Sequence, residues 1–501
     1  MRLRPLLVVS ALVVTGVATL ASGAPGNPAE QAYALLHGNL GQGSLEPRFV
    51  SYSAPGMMAT PRASCAQGDR PETSWMGRVP LRDYLNGRAA KGYTCNVRDV
   101  GHEGSSGGFA TWRYTDKAGH VCAYYDTTAL FPTNNGGGVA VLDMTNPAKP
   151  VRTTLLGTLA MRTPHESLRL NAKRGLLVAV AGSPATQVGE VDVYDVSQDC
   201  RAPKLDALSP MGILGHEGAF SPDGKTYWAS TTADRGLSAI DLTDPTKPVL
   251  LMHSMTIATH GLSVSDDGTR LYLADVQNGP TQNYAQEITH GGGGMRILDA
   301  SAIQHRVAIT TDLPQIGYVT WPEVTIPQST IPVTIKGHRY LVEFDEYDSN
   351  TTAYSPDENV GGVRIIDIQD ERHPKVVSRM RLNVWERSDR ATDQQDDPGA
   401  NSGTQGYAAH YCSVPQRKDP GILACSTIVS GLRIFDIRNP LRPREVGYAI
   451  HPGFDASAPA KSSGAYAMSA PTFDLAHHQV WYADANTGFW VEQLSPAAWL
   501  R

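Results

Sequence analysis

Charge, helical periodicity and long apolar runs are what this chain has least of. Only 18% of its residues are charged, and the net charge of −6 disperses both signs, so no basic stripe offers a path for a nucleic-acid backbone. Helix-like periodicity is confined to two short stretches, 28–37 and 81–91. Beyond the N-terminus no apolar run approaches the length of a membrane span. The Gly-x-Ser-x-Gly elbow is missing, and the glycine runs at 136–138 and 291–294 lack the Gly-Lys-Ser/Thr continuation that cradles phosphate. Asp266-Asp267-Gly268 lacks the spaced ligands and closing Glu of an EF-hand loop and reads as a hairpin turn.

What is abundant points to short strands and turns: 48 Gly and 34 Pro. At the N-terminus Arg2 and Arg4 precede an apolar run from Pro5 to Leu20, and Ser22-Gly23-Ala24 offers small residues for cleavage, so residues 1–24 read as a secretory signal peptide. No Cys stands at that point to carry a lipid, and the mature chain is expected to be exported and soluble. In an oxidising compartment its six cysteines can pair as three disulfides. Cys412 and Cys425 fall on two adjacent strands of one hairpin and are expected to pair; Cys65, Cys95, Cys122 and Cys200 leave three connectivities open.

One pattern recurs along the chain. Val139 to Asp143, Val191 to Asp195, Leu237 to Asp241, Met295 to Asp299, Val363 to Asp367 and Leu432 to Asp436 are apolar strands ending on Asp, and Phe489 to Gln493 repeats them without the Asp. Their ends lie 46 to 69 residues apart, the period of a four-stranded blade with loops. Asn-Pro or Asp-Pro corners follow several copies, as at Asn146-Pro147, Asp244-Pro245 and Asn439-Pro440. There the Asp side chain can accept from N–H groups just downstream while Pro presets the turn. The fold class is therefore all-β, a seven-bladed β-propeller. The motif, best seen in Gly431-Leu432-Arg433-Ile434-Phe435-Asp436-Ile437-Arg438-Asn439-Pro440, resembles the LVIVD-repeat family of secreted bacterial propellers over roughly residues 100 to 494. That resemblance implies the fold and fixes no activity.

The last copy ends close to the C-terminus, whereas residues 92–100 form a strand-like segment ahead of the first blade. That segment is expected to close the last blade and remove the free sheet edges. The organisation is then 1–24 signal peptide, 25–90 N-terminal extension packed outside or over one end, and 91–501 propeller.

Aligning the copies exposes the chemistry. His-Glu pairs at His102-Glu103, His165-Glu166 and His216-Glu217 are read as opening the inner strands of the first three blades, with His260-Gly261 and His410-Tyr411 in the fourth and sixth. The fifth blade shows Trp321-Pro322-Glu323 and the seventh Ala467-Met468-Ser469. Inner strands line the channel, so these imidazoles are expected to converge at one mouth. The long connections 126–138, 275–294, 346–362 and 383–409 belong to the same face, and long loops concentrate function. Converging neutral histidines suit Fe, Cu, Zn or Ni. The expected ligands are His165, His216, His260 and His410; His102 is a ligand or acid/base, and Glu103, Glu166, Glu217 and Glu323 orient the rings. In geometry alone this resembles carotenoid-cleavage oxygenases, propellers that hold iron with four inner-strand histidines.

Two functions follow. One is a metal-dependent oxidoreductase acting on a small organic substrate. The other is an extracellular propeller that grips a protein or glycan with its long-loop face, the histidines only stitching blades together. Tyr284, Trp385, Tyr407 and Tyr411 are placed by the sequence where they could line a pocket, and Glu386, Arg387, Asp393, Asp396 and Asp397 read as a solvated loop.

Overall fold

The computed structural model describes residues 58–128, 137–181, 189–213, 215–231, 236–257, 259–275, 293–307, 312–321, 326–346, 362–386, 393–400 and 406–500. The signal-peptide stretch and the 28–37 segment lie outside them.

Seven antiparallel sheets form the seven blades. Blade one runs from the inner strand Thr111–Thr115 through Val121–Asp126 and Val139–Asp143 to the outer strand Val151–Leu156. Blades two to six repeat this order, starting at Arg169–Asn171, Gly218–Phe220, Leu262–Val264, Pro327–Ile335 and Cys412–Ser413. Blade seven has Thr472–Asp474, Gln479–Asp484 and Gly488–Leu494, and its fourth strand is Val97–Glu103 from the N-terminus. The expected closure is therefore present, with one addition. Tyr93–Cys95, just upstream, pairs with Arg444–Ile450 and gives blade six a fifth strand.

Every copy of the repeated motif is the third strand of its blade. The six aspartates do what turn chemistry asks, each accepting through Oδ1 from the N–H two residues on: Thr145, Ser197, Thr243, Ser301, Gln369 and Arg438. Gln493, in the seventh copy, instead donates its amide to the His477 carbonyl. A register shift recurs between the third and outer strands of all seven blades, and such bulges add twist. Apolar residues bury between neighbouring blades, as where Val178 and Val193 of blade two meet Tyr227 and Ile240 of blade three.

Residues 58–92 form a strap against blades five and six that includes the short helix Leu81–Leu85. Thr60 N–H bonds the Arg381 carbonyl, and Arg78 reaches Asp397 at 2.6 Å. Buried Glu72 pairs with Arg433, itself 3.0 Å from Glu445. Asp397, read from sequence as part of a solvated loop, is 1% exposed because this strap covers it. Three disulfides, Cys412–Cys425, Cys65–Cys95 and Cys122–Cys200, account for all six cysteines. No helix among the described residues is long and apolar enough to cross a membrane.

Candidate metal centre

Each inner strand is entered by a lead-in from the preceding blade, and the lead-ins of blades two, three, four and six bring histidines to the axis. His216, His260 and His410 share one register position. Their N–H groups donate to the carbonyls of Ser230, Ala274 and Ser426, which pair with Leu237, Met295 and Leu432 at the start of the third strands. His165 stands outside that register, in a turn closed by Ser167 N–H on the Pro164 carbonyl. Its φ of 49° is left-handed, uncommon for a residue with a Cβ, and the turn sends Glu166 across the channel. In blade one Phe109 enters instead, its ring 4.2 Å from that of His165.

The donor atoms converge. His216 Nε2 lies 2.8 Å from His260 Nε2 and 3.2 Å from Glu166 Oε2. His260 Nε2 is 3.3 Å from Glu346 Oε2, and His410 Nε2 is 3.4 Å from Glu166 Oε1. His165 stands at the edge, Nδ1 3.8 Å from Glu166 Oε2. Ligands about 2.1 Å from one ion are themselves about 3 to 3.4 Å apart at right-angled or tetrahedral bond angles, so most of these spacings suit a shared cation. All six side chains are buried.

Their outer faces are tied down. His260 Nδ1 is 2.9 Å from the carbonyl of Pro327, the first residue of blade five's inner strand, and His410 Nδ1 is 2.5 Å from the Met468 carbonyl in the lead-in of blade seven. A carbonyl can only accept, so in both rings Nδ1 carries the hydrogen and, in the neutral ring, Nε2 presents a lone pair inward. Backbone carbonyls thus orient these two rings, the task the sequence assigns to glutamates. The two oxygens of Glu166 and Nε2 of His410 are buried without a hydrogen bond, close to one another but poorly aligned for one. Burial opposes ionisation of Glu166, yet the adjacent imidazoles of His216 and His165 outweigh it and hold its carboxyl well below the usual range.

One residue further along the chain lies a second layer. Glu217 spans the channel, its carboxylate 3.0 Å from Arg169, 2.8 Å from Ser329 Oγ and 2.7 Å from the Tyr411 hydroxyl. Burial raises it to about 7, against the pull of Arg169. Gly261 follows His260 because a Cβ there would fall on the Glu217 carboxylate. Beneath this floor a cavity of about 340 Å³ lines the rest of the channel, with Trp112, Phe220, Phe344 and Arg417 among its walls.

Three expectations need correction. His102 and Glu103 belong to the outermost strand of blade seven, far out on the sheet, because the N-terminal strand closes the ring. There His102 packs on Trp490 and Glu103 bonds Tyr125 and Arg152. Glu217 is the channel floor, whereas Glu166 stands among the donors. Trp385 and Tyr407 are core residues, the latter bonded to Asp397, whereas Tyr411, bonded to Glu217, does line the channel cavity. Glu323 and Tyr284 lie outside the described residues. Sequence reasoning missed Glu346, which follows the second strand of blade five where the repeat has no counterpart, and Arg169.

No family model matches the chain, and no curated protein matches it. Among solved structures it is similar to the β-propeller domain of Cps50 (Swd1) from Myceliophteria thermophila, with a TM-score of 0.50 and 10% identity, covering 80% of this chain and 100% of that one. A chain of the Mitotic Checkpoint Complex gives a TM-score of 0.45 and 8% identity, covering 79% and 94%. The first likeness shows the fold alone. The likeness to LVIVD repeats rests on the motif.

Proposed function

We propose that this is an exported propeller whose channel holds one transition-metal ion between His216, His260, His410, Glu166 and Glu346, with His165 beside them. In this reading it serves as an oxidoreductase on a small organic substrate approaching from the long-loop face. The observation that carries the reading is the set of buried donors without hydrogen bonds, both Glu166 oxygens and His410 Nε2, facing His216 and His260. Mixed imidazole and carboxylate donors suit Fe, Mn, Zn or Cu. A bound ion would supply Lewis-acid or one-electron chemistry. The chain's own part is to fix the two Nδ1–H groups on carbonyls, to seal the lower channel with Glu217, Arg169 and Tyr411, and to keep the donors dry. Three disulfides favour an oxidising, extracellular setting.

A second reading, a binding propeller with structural histidines, draws on the same Nδ1 contacts, since His260 and His410 each join their blade to the next. Elemental analysis of dialysed protein separates the two. A folded His216→Ala/His260→Ala variant is expected to hold about one equivalent of metal less than the wild type. Equal contents would overturn the channel site and leave the stitching role.

A further inference from the structure

A second group of donors lies far from the channel, at the seam where the N-terminal strand closes the ring. Asp99 on that strand and Glu492 on Gly488–Leu494 are direct cross-strand partners. Two carboxylates so placed repel each other unless something positive stands between them. His451, just past the outer strand of blade six, roofs the pair: its Nε2 is 2.8 Å from Glu492 Oε1 and 3.7 Å from Asp99 Oδ1. The ring is fixed in that aim by parallel stacking on Trp490, centroids 3.6 Å apart and planes 7° from parallel.

Available partners do not satisfy the group. Arg70 takes Asp99 Oδ2 at 2.8 Å, which leaves Oδ1 buried and without a hydrogen bond. Glu492 Oε2 is likewise buried and unbonded in a fully buried side chain, and so is the hydroxyl of Tyr482, which pairs with Trp490 on the same sheet. Buried polar atoms without partners are costly, and Asp99 and Glu492 each hold one at the same cross-strand pair, which indicates a missing ligand. One imidazole and two carboxylates, within coordination reach of one another, are the donor set of a divalent first-row cation.

We propose that Asp99, His451 and Glu492 bind a second divalent cation, with Zn2+ as its probe, which ties the closing strand to blades six and seven. The site is independent of the channel centre and needs no part of that reading. The cation bridges the N-terminal strand, the last blade and the end of blade six, so it fastens the joint where the N-terminal strand closes the ring.

Calorimetric titration of the chelator-treated, dialysed full chain with Zn2+ tests this. The wild type is expected to take up two equivalents, the His216→Ala/His260→Ala variant one, and an Asp99→Asn/Glu492→Gln variant one. Zn2+ is also expected to raise the Tm of the His216→Ala/His260→Ala variant, and to lose that effect once Asp99→Asn and Glu492→Gln are added. A folded His216→Ala/His260→Ala variant that binds no Zn2+ would overturn the seam site while leaving the channel centre standing. One that binds as much as the wild type would count against the channel instead. Should the carboxylate variant fail to fold, His451→Gln removes one ligand and is expected to lose the same equivalent; uptake unchanged in it would overturn the proposal.

Discussion

Asp126 shows how single residues near the channel are held by burial rather than by charge. It ends the second strand of blade one, accepts from the Thr128 N–H and hydroxyl at 2.9 Å, and touches Phe109, which stacks on His165. Burial raises its carboxyl to about 7, and the hydrogen bonds from Thr128 and Phe109 only partly oppose that. In the unfolded chain it would titrate near 3.8. Between those values the folded state keeps a proton the unfolded state has released, so this group's stabilisation is full at low pH and declines as pH rises towards about 7. Urea midpoints for the wild type and Asp126→Asn from pH 4 to 7 are expected to diverge, the wild type losing on the order of a few kcal/mol relative to the variant. Parallel curves would mean that Asp126 is ionised throughout. Asp484, raised to about 6 by burial, adds to the same slope and is unchanged in the variant.

At the scale of elements, the disulfides separate what sequence can read from what it cannot. Cys412 and Cys425 are cross-strand partners in one hairpin, a local relation that alternation and turn length reveal. Cys122–Cys200 joins blade one to the end of blade two's third-strand turn, and Cys65–Cys95 joins the strap to the fifth strand of blade six; both depend on how blades sit in space. The loops closed span 13, 30 and 78 residues for Cys412–Cys425, Cys65–Cys95 and Cys122–Cys200. Loop-closure entropy then ranks their removal at roughly 3, 3.5 and 4.5 kcal/mol. Paired Cys→Ala variants in urea are expected to fall in that order; a larger loss at Cys412–Cys425 than at Cys122–Cys200 would show that local strain or packing outweighs chain entropy. The same division holds for the site. Third strands were legible because Asp and its turn recur at six of the seven, and His216, His260 and His410 because they share one register. His102-Glu103 misled because an outer strand can carry the same dipeptide as an inner lead-in. Glu346 was hidden because it sits past a strand end where only three-dimensional convergence gives it meaning. Glu166 was found but its reach to His216, His260 and His410 was not, since the turn at His165 that redirects it leaves no mark in the pattern.

For the whole molecule, the ring depends on a strand borrowed from the opposite end of the chain. Val97–Glu103 covers the edge of Gly488–Leu494, and Glu103 continues the contact into blade one through Tyr125 at 2.6 Å. Without it blade seven would keep three strands and an open edge, a template for pairing with another molecule. The strap before it does a different job, capping blade six and burying Arg433 against Glu72 and Glu445. Two truncations distinguish these roles, and each removes both Cys65 and Cys95, so neither leaves an odd thiol. A chain starting at Val97 loses the strap and the extra strand of blade six, and is expected to remain monomeric with a lowered Tm. A chain starting at Gly104 also loses the closing strand, and is expected to self-associate on size exclusion with a further fall in Tm. If both chains elute as monomers of equal stability, closure by the N-terminal strand contributes nothing that seven packed blades do not already supply.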